Sequence, residues 1–442
     1  MEEVKKKPKL KRRVSLFALT AYGVGNVLGA GIYALIGDVV GTTGNLSWLA
    51  FILASITGAF TGLSYAELSA MYPKSAAEFV YTEEAFKKRD LSFILGWIII
   101  FSGIFSAATV ALGFANYLST LFGISSVFLT IIFAILLIII LSIINFVGIK
   151  TSTRTNILFT LIEASGLIII IIIGFFGTEE PNYFTLPTGS SFTVIFSAVA
   201  LIFFAYIGFE DIANIAEEVK EPHKNLPKAI IYSIIITTIL YCFTAISIVS
   251  ILDYSTIAAS DAPLKDVAET ILGPFGGILL SLIALFATAN TVLIMLIVTS
   301  RMMYGMARDK ALPKGLKKIS PKHRTPILAI LFTMVFTIIP VFLVDISIVA
   351  DATVFGVLIT FILVNISLIA LRKSKPDVKR PFKLKPNIKW VPIIALLGAI
   401  TCIGLLFTFK LLTIIIQSII IVCGIIVFYA MKSKIETKTL KK

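Results

Sequence analysis

The apolar residues of this chain are gathered into twelve stretches separated by short polar or Pro- and Gly-rich segments. Each stretch is about 20 residues long, the length that an α-helix needs to cross a bilayer. The pattern predicts an all-α polytopic membrane protein with twelve transmembrane helices. The predicted spans are centred on Leu28, Ser55, Ser106, Leu136, Gly166, Leu201, Thr238, Leu285, Thr333, Thr360, Ala399 and Ile420.

Composition agrees with this pattern. Of the 442 residues, 57% are hydrophobic and only 14% are charged, whereas soluble domains carry about 25% charged residues. A soluble globular protein is therefore excluded. We expect a basic tail over 1–13, a core of ten spans over 14–371, a basic loop over 372–389, spans eleven and twelve over 390–431, and a tail over 432–442.

The basic residues are distributed very unevenly. All but two of the 39 Lys and Arg residues fall on one side of the predicted bilayer, which we call the basic side, and only Lys265 and Lys410 fall on the opposite side. Because Lys- and Arg-rich loops stay in the cytoplasm, we predict a cell-membrane protein with both termini cytoplasmic. Arg301 and Arg308 are interpreted as anchors on this side. The net charge of +14 follows from topology, and we expect no nucleic-acid partner.

The first span contains an unusual density of glycine. The stretch GVGNVLGAGIY, from Gly23 to Tyr33, holds four glycines, each of which costs about 1 kcal/mol relative to alanine inside a helix. Broken helix at membrane depth is tolerated only against buried protein or a water-filled cavity. The sequence therefore predicts a helix break next to a cavity, although Gly25 and Gly29 also fit a close helix contact.

The sixth span predicts a second break, where Gly208 is followed by Glu210 and Asp211. Spans one and six are five apart, so they run in opposite directions. Inverted repeats with one interrupted helix each are a common plan for transporters. We therefore predict a five-plus-five inverted repeat of spans one to five and six to ten, with broken helices one and six and two extra C-terminal spans.

Four motifs, in order, resemble those of the amino acid–polyamine–organocation (APC) transporter superfamily. The resemblance covers roughly Val14 to Leu371 and implies the leucine-transporter fold; the chain departs from the family pattern at Ala76 and Ala77, where relatives usually have two glycines. The motifs are GVGNVLGAGIY, the YAEL segment from Ser64 to Tyr81, GFE at Gly208 to Glu210 with the loop from Glu217 to Pro227, and Arg301 to Pro313.

The chemistry of a broken helix suits a zwitterion. A break frees N–H groups that favour a carboxylate and C=O groups that favour an ammonium. By resemblance, the amides of Ala30 and Gly31 would hold the substrate carboxylate, and the carbonyls of Val27 and Ile207 its ammonium. Phe204 resembles the family's aromatic gate. The predicted substrate-binding residues are thus Val27, Gly29, Ala30, Gly31, Phe204, Ile207 and Gly208.

Two carboxylates inside the apolar layer are functional hypotheses by default. Glu210 fits either a cap on the inner half of span six or a gating and proton-exchange group. Glu163 lies on span five where some prokaryotic relatives have a lysine that is thought to carry the coupled proton. We predict that Glu163 carries coupling in place of that lysine. The alternatives are a glutamate that helps to bind a cation and a neutral glutamate hydrogen-bonded to a neighbouring helix.

No metal site and no cofactor are predicted, and the expected coupling ion is a proton. A sodium ion is the less favoured choice, because the nearest hydroxyl ligands, Thr288 and Thr291, give only a weak signal.

These observations predict a secondary active transporter that works by alternating access. Span three has no Asp or Glu, so we expect proton-coupled uptake of neutral or apolar amino acids. An exchanger, a polyamine carrier or a carrier of cationic amino acids remains an alternative. A membrane-embedded enzyme or a channel is remote, because the layer contains no catalytic constellation and two helix breaks favour alternating access. The pattern leaves the oligomeric state open.

Overall fold

The computed structural model describes residues 10–177, 179, 181–260, 262–342 and 346–440. Within them the chain is mostly helical, with 3-10 turns at Gly44–Leu46, Ala216–Glu218 and Lys314–Lys317 and one short hairpin of β1 (Asn387–Ile388) and β2 (Val391–Pro392). The helices are α1 (Leu16–Thr43), α2 (Ser47–Met71), α3 (Ala77–Phe86), α4 (Arg89–Leu121), α5 (Val127–Val147), α6 (Ile149–Gly174), α7 (Val194–Tyr206), α8 (Asp211–Asn214), α9 (Pro222–Ile251), α10 (Tyr254–Ala258), α11 (Pro263–Leu272), α12 (Pro274–Arg308), α13 (Ile327–Val341), α14 (Ile346–Ser374), α15 (Ile393–Leu406) and α16 (Leu411–Leu440).

Every predicted span centre falls inside one of these helices. Among the described residues, nine helices are long and apolar enough to cross a membrane. Three shorter apolar helices, at Val194–Phe203, Ile327–Val341 and Ile393–Leu406, contain the centres of predicted spans six, nine and eleven. The prediction of a polytopic helical membrane protein is therefore confirmed.

The two predicted helix breaks are present. In α1, Gly29 has φ 31° and ψ −157°, which is not helical. The other break follows Tyr206, where α7 ends, and Gly208 adopts φ 130° before α8 begins at Asp211. Residues with a Cβ rarely adopt these positive φ angles, so glycine is required at both breaks.

The helices differ in how deeply they lie inside the protein. The apolar window of α12 is 83% buried, whereas those of α5 and α16 are 28% and 17% buried. Because lipid is as apolar as a protein core, the exposed Leu, Ile and Phe side chains of α5 and α16 suit contact with lipid. The broken helix α1 and the buried helix α12 therefore form the centre of the bundle.

The end of the bundle on the basic side is tied together by buried ion pairs. Arg301 is fully buried and binds both carboxylate oxygens of Glu218, at 3.1 and 3.2 Å. Arg301, interpreted above as an anchor on the basic side, therefore does not lie at the protein surface: its charge pairs inside the protein, because Glu218 reaches it from the segment after α8. Arg308 is partly exposed and pairs with Glu217 and Asp309.

The segment that contains Glu218 also holds the start of α1. The N–H groups of Arg13 and Val14 donate to the Glu218 carbonyl at 2.8 and 3.0 Å, and the Lys220 N–H donates to the Val14 carbonyl at 2.9 Å. A short parallel bridge of Val14 with Val219 results. The residues that follow the break in the sixth predicted span are thus hydrogen-bonded to the residues that precede α1.

The predicted basic loop folds against the protein. Glu67, fully buried at the end of α2, accepts bonds from Arg372 at 2.6 and 2.7 Å and from the Leu384 N–H at 2.8 Å. Arg380 also lies 3.3 Å from Glu67. The loop between α14 and α15 is therefore fixed to α2 by one carboxylate.

Candidate functional site

A cavity of about 90 Å³ lies between the break in α1 and the break that follows α7. One wall consists of the breaks, and the other consists of side chains from α4, α12 and α14. The lining residues are Asn26, Val27, Gly29, Gly31, Ile99, Ser102, Gly103, Ser106, Val110, Ala205, Ile207, Glu210, Asp211, Thr291, Met295, Val298, Thr353, Val354 and Val357.

Four of the seven predicted substrate-binding residues, Val27, Gly29, Gly31 and Ile207, line this cavity. Gly208 forms the adjacent turn and does not line it. Ala30 and Phe204 belong to the helical backbone, but their side chains lie outside the described part of the structure. The structure therefore brings the backbone of both predicted breaks to one cavity.

Gly31 marks the closest approach of the two broken helices. A Cβ built at Gly31 would lie 3.0 Å from both the Cα and the Cβ of Ala205. Real Cβ atoms essentially never come closer than this, and the α7 backbone cannot swing aside as a long side chain can. The first broken helix is thus held against the second at the level of the cavity.

Asn26, one residue before Val27, connects the two breaks. Its amide nitrogen donates to the Gly208 carbonyl at 2.8 Å and to Asp211 Oδ2 at 2.7 Å. Its oxygen is buried and has no hydrogen-bond partner among the described residues. Sequence reasoning missed Asn26, although a polar side chain inside a glycine-rich apolar stretch was a usable signal.

Tyr241 on α9 makes a second connection. Its hydroxyl lies 2.6 Å from the Val27 carbonyl, 3.2 Å from that of Leu28 and 3.2 Å from that of Ala205. A hydroxyl has one hydrogen to donate, so it serves these three carbonyls in turn. The Val27 carbonyl predicted to bind an ammonium therefore already has a donor, which leaves its second lone pair for a ligand. Nothing in the apolar run around Tyr241 signals this contact.

Glu210 and Asp211 are the carboxylates that line the cavity. Glu210 Oε2 accepts the Gly208 N–H at 2.8 Å, so its carboxylate caps the turn before it and not the first turn of α8. Asp211 is bound by Asn26, as described above. Both side chains are buried, and within the described residues neither forms an ion pair with Lys or Arg.

Glu163 lies away from this cavity and is fully buried among α1, α6 and α12. Its Oε2 is 3.4 Å from the Asn290 amide nitrogen, a long contact, and its Oε1 has no partner among the described residues. Asn290 also donates to Thr160 at 3.0 Å and accepts from Asn156 at 2.8 Å. Burying an isolated ion is costly, so this carboxyl group can hold a proton. Asn290, a polar residue in the apolar window of α12, is a partner that sequence reasoning missed.

The two hydroxyls considered for sodium differ in position. Thr291 lines the cavity, and a Cβ built at Gly29 would lie 2.9 Å from its hydroxyl oxygen. Thr288 does not line the cavity, and its hydroxyl donates to the Ala284 carbonyl one turn before it. The structure therefore brings one of these two residues to the break.

A further buried carboxyl lies on the basic side, on the short helix that connects α2 and α4. Glu78, on α3, accepts bonds from Tyr65 at 3.1 Å and from the Asn214 amide at 3.1 and 3.2 Å. Burial raises the pKa of Glu78 from 4.5 to about 7, and the bonds from Asn214 and Tyr65 oppose this shift. Glu78 therefore titrates near neutral pH and connects α2, α3 and α8.

The comparisons with known proteins agree with the motifs. The chain is 28% identical to the branched-chain amino acid permease BcaP of Bacillus subtilis (strain 168), over 96% of this chain and 94% of that one. It is 32% identical to the human large neutral amino acids transporter small subunit 2, over 88% and 74%. It is 28% identical to cationic amino acid transporter 3, mitochondrial, of Arabidopsis thaliana, over 84% and 64%.

The sequence profile described as amino acid permease matches residues 14–431, nearly the whole chain. Together with the relatives and with the cavity between two broken helices, this match confirms the resemblance to the APC superfamily: the chain belongs to the amino acid permease family.

Proposed function

We propose that this protein is a secondary active transporter that takes up neutral, apolar amino acids together with protons by alternating access. The cavity between the two helix breaks carries this proposal, because it combines a backbone wall with an apolar wall. Its position at the breaks gives a ligand access to N–H and C=O groups that a continuous helix would use internally.

The backbone wall suits the groups common to all amino acids. The amides of Ala30 and Gly31, beyond the break, would bind the substrate carboxylate, and the carbonyls of Val27 and Ile207 would bind the ammonium. Tyr241 shares the Val27 carbonyl, so an incoming ammonium would take the second lone pair or displace the hydroxyl. Phe204 would cover the bound ligand.

The size and polarity of the cavity support a neutral substrate of modest size. The cavity volume of about 90 Å³ is several times the 10–15 Å³ or so that one water molecule needs, so the cavity has room for a small ligand. The facing wall is mainly apolar and includes Val110, Met295, Val298, Val354 and Val357. The Bacillus relative is named as a branched-chain amino acid permease, which also supports an apolar substrate.

Glu163 is the proposed coupling group. Its carboxyl is fully buried, has one free oxygen and contacts only neutral groups among the described residues. Loading this group with a proton removes a buried charge next to the α1 break, and unloading it restores that charge. Such a change alters the relative stability of two conformations, which is what coupling requires. Glu210 is a second proton-exchange candidate, beside the turn of the sixth predicted span.

An exchanger or a carrier of cationic amino acids is the alternative, and one observation favours it. Glu210 and Asp211 line the cavity without a basic partner in the described structure, so they could face a cationic side chain. The name of the Arabidopsis relative is consistent with that substrate class.

We further propose that the three shorter apolar helices also cross the bilayer. They would complete twelve spans, with spans one to five and six to ten as inverted repeats and both termini in the cytoplasm of a cell-membrane protein. The two helix breaks, which lie five predicted spans apart, and the distribution of Lys and Arg support this arrangement.

A binding and uptake experiment with the purified protein tests this function. Thermal unfolding is measured with each of the twenty amino acids and with common polyamines, and the ligands that stabilise the protein are then tested for uptake into proteoliposomes. We expect stabilisation by small apolar amino acids and accumulation only with an inward proton gradient. Stabilisation by lysine, arginine or polyamines alone would favour the alternative, and accumulation without any gradient would exclude proton-coupled uptake.

A further inference from the structure

A second, much smaller cavity of about 20 Å³ lies on the side of the bundle opposite the basic side. At 10–15 Å³ each, it has room for about one ordered water molecule. It is lined by Tyr33, Tyr117, Ala262, Leu264, Lys265, Leu280, Ser281 and Ala284. Lys265 is exposed, so the cavity reaches the surface, and its hydroxyl and ammonium groups give a water the two to four polar partners that it needs.

Tyr33 connects this cavity to Glu163. The ring lies just beyond the α1 break, is 6% exposed and forms part of the cavity wall. Its hydroxyl donates to the backbone carbonyl of Glu163 at 3.0 Å. The hydroxyl is therefore within one side chain's length of the Glu163 carboxyl, whose Oε1 has no partner among the described residues.

Gly166, one turn after Glu163 on α6, leaves the space that this hydroxyl occupies. A Cβ built at Gly166 would lie 2.8 Å from the Tyr33 hydroxyl oxygen and 2.7 Å from Ile283 Cγ2. Any larger residue would push the hydroxyl away from the Glu163 carbonyl. The glycine and the tyrosine thus form one arrangement.

We propose that the Tyr33 hydroxyl and a water in the small cavity form the route by which a proton from the side opposite the basic side reaches Glu163. This inference rests on the proposed coupling role of Glu163. A hydronium O–H bond breaks as a new O–H bond forms on the Tyr33 oxygen. The original tyrosine hydrogen turns from the Glu163 carbonyl to Oε1 and is transferred there. One proton moves from hydronium to carboxylate, and Tyr33 is neutral again.

The charges around the route do not oppose it. Tyr33 on α1 and Tyr241 on α9 are the titratable side chains that face Glu163 in the described structure, and the α12 group that bonds to it is the neutral Asn290. At the mouth, Lys265 lies on α11 together with Asp266 and Glu269, and the side chains of Lys265 and Glu269 both lie beside Gly277. Tyr117 contributes a neutral hydroxyl from α4.

Tyr33→Phe tests the route, because it removes only the hydroxyl. We expect proteoliposome uptake driven by an inward proton gradient to fall by about tenfold, since a positioned proton-transfer group is lost. Substrate binding measured by thermal unfolding, and counterflow without a gradient, stay within about twofold of the unmodified protein because the substrate cavity is untouched. Gly166→Ala, which displaces the hydroxyl, changes uptake in the same direction.

Tyr117→Phe is the matched control: it removes a hydroxyl from the same cavity but not one bonded to Glu163. It should retain gradient-driven uptake. Normal uptake by Tyr33→Phe, or an equal loss in Tyr117→Phe, overturns the route. If Tyr33→Phe is slow while Glu163→Gln keeps its gradient dependence, the route to Glu163 and the coupling role both fail. If only Glu163→Gln loses gradient dependence, the coupling role stands and the route fails.

Discussion

Glu163 and Glu218 are both fully buried carboxylates, yet their surroundings differ completely. Glu218 is held by the two-pronged Arg301 guanidinium, which also bonds to Asn145 at 2.7 Å. Among the described residues, the Glu163 carboxyl has one long contact, from a neutral amide. A buried charge with an ion partner is stabilised by that partner, whereas a buried carboxyl without one has no opposite charge to stabilise its ionised form. The first arrangement suits a structural lock and the second suits coupling.

The positions of the two groups fit these roles. Glu218 lies where the segment after α8 meets the start of α1, and its carbonyl holds Arg13 and Val14. Glu163 lies beside the middle of α1, near the break. The end on the basic side is therefore closed by ion pairs, while the described residues at the centre contribute backbone and polar groups that form none. Substitutions in the two regions should therefore have different effects.

The largest effect is expected at the buried Arg301–Glu218 ion pair. Arg301→Met leaves Glu218 buried without a partner, and such a loss typically costs about 3–5 kcal/mol of the free energy of unfolding. Thermal unfolding in detergent measures it. The double variant Arg301→Met with Glu218→Leu removes both charges and should recover most of the stability. If Arg301→Met were as stable as the unmodified protein, the stabilising role of this ion pair would be contradicted.

Gly31→Val should weaken substrate binding at the centre. Its side chain would enter the space of Ala205 at the cavity, so we expect substrate affinity to fall by at least about tenfold, or 1.4 kcal/mol. Gly113→Val in α4 is the control, because a Cβ there meets nothing within 4 Å. Equal affinity in the two variants, measured by ligand-induced thermal stabilisation, would argue against the backbone site.

A smaller, pH-dependent effect is expected at Glu78. Its folded-state pKa of about 7 exceeds the ordinary value of 4.5, so the folded protein holds this proton more tightly than the unfolded chain does. The resulting stabilisation is complete below pH 4.5 and is lost as the pH rises through about 7. Glu78→Gln should therefore lose less stability between pH 5.5 and pH 8 than the unmodified protein. Thermal unfolding across that range measures the difference, and identical pH profiles would contradict the shift.

The sequence predicts the helices and both breaks because these depend on local properties. The apolar windows report membrane depth, and glycine clusters report positions where a helix is costly, as at Gly29 and Gly208. The same patterns cannot identify neighbours. Glu218 and Arg301 are far apart in sequence and both adjoin polar segments, so only their packing shows that they pair inside the protein.

The site was predictable to a similar degree. The backbone positions Val27, Gly31 and Ile207 follow from the breaks, and the resemblance supplies their roles. Asn26 and Tyr241 were missed because their importance comes from contacts between helices: Asn26 reaches Gly208, and Tyr241 reaches Val27. An apolar period of 3.6 residues defines the buried face of a helix but not the partner that faces it.

The dependence of uptake on the proton gradient in Glu163→Gln tests the central claim most directly. This variant keeps the shape of the side chain and can still accept a bond from Asn290, but it cannot exchange a proton. We expect substrate binding and thermal stability close to those of the unmodified protein, with uptake into proteoliposomes no longer responding to an inward proton gradient. Gradient-driven accumulation equal to that of the unmodified protein would contradict the assignment of coupling to the unpaired carboxyl at the centre of the bundle.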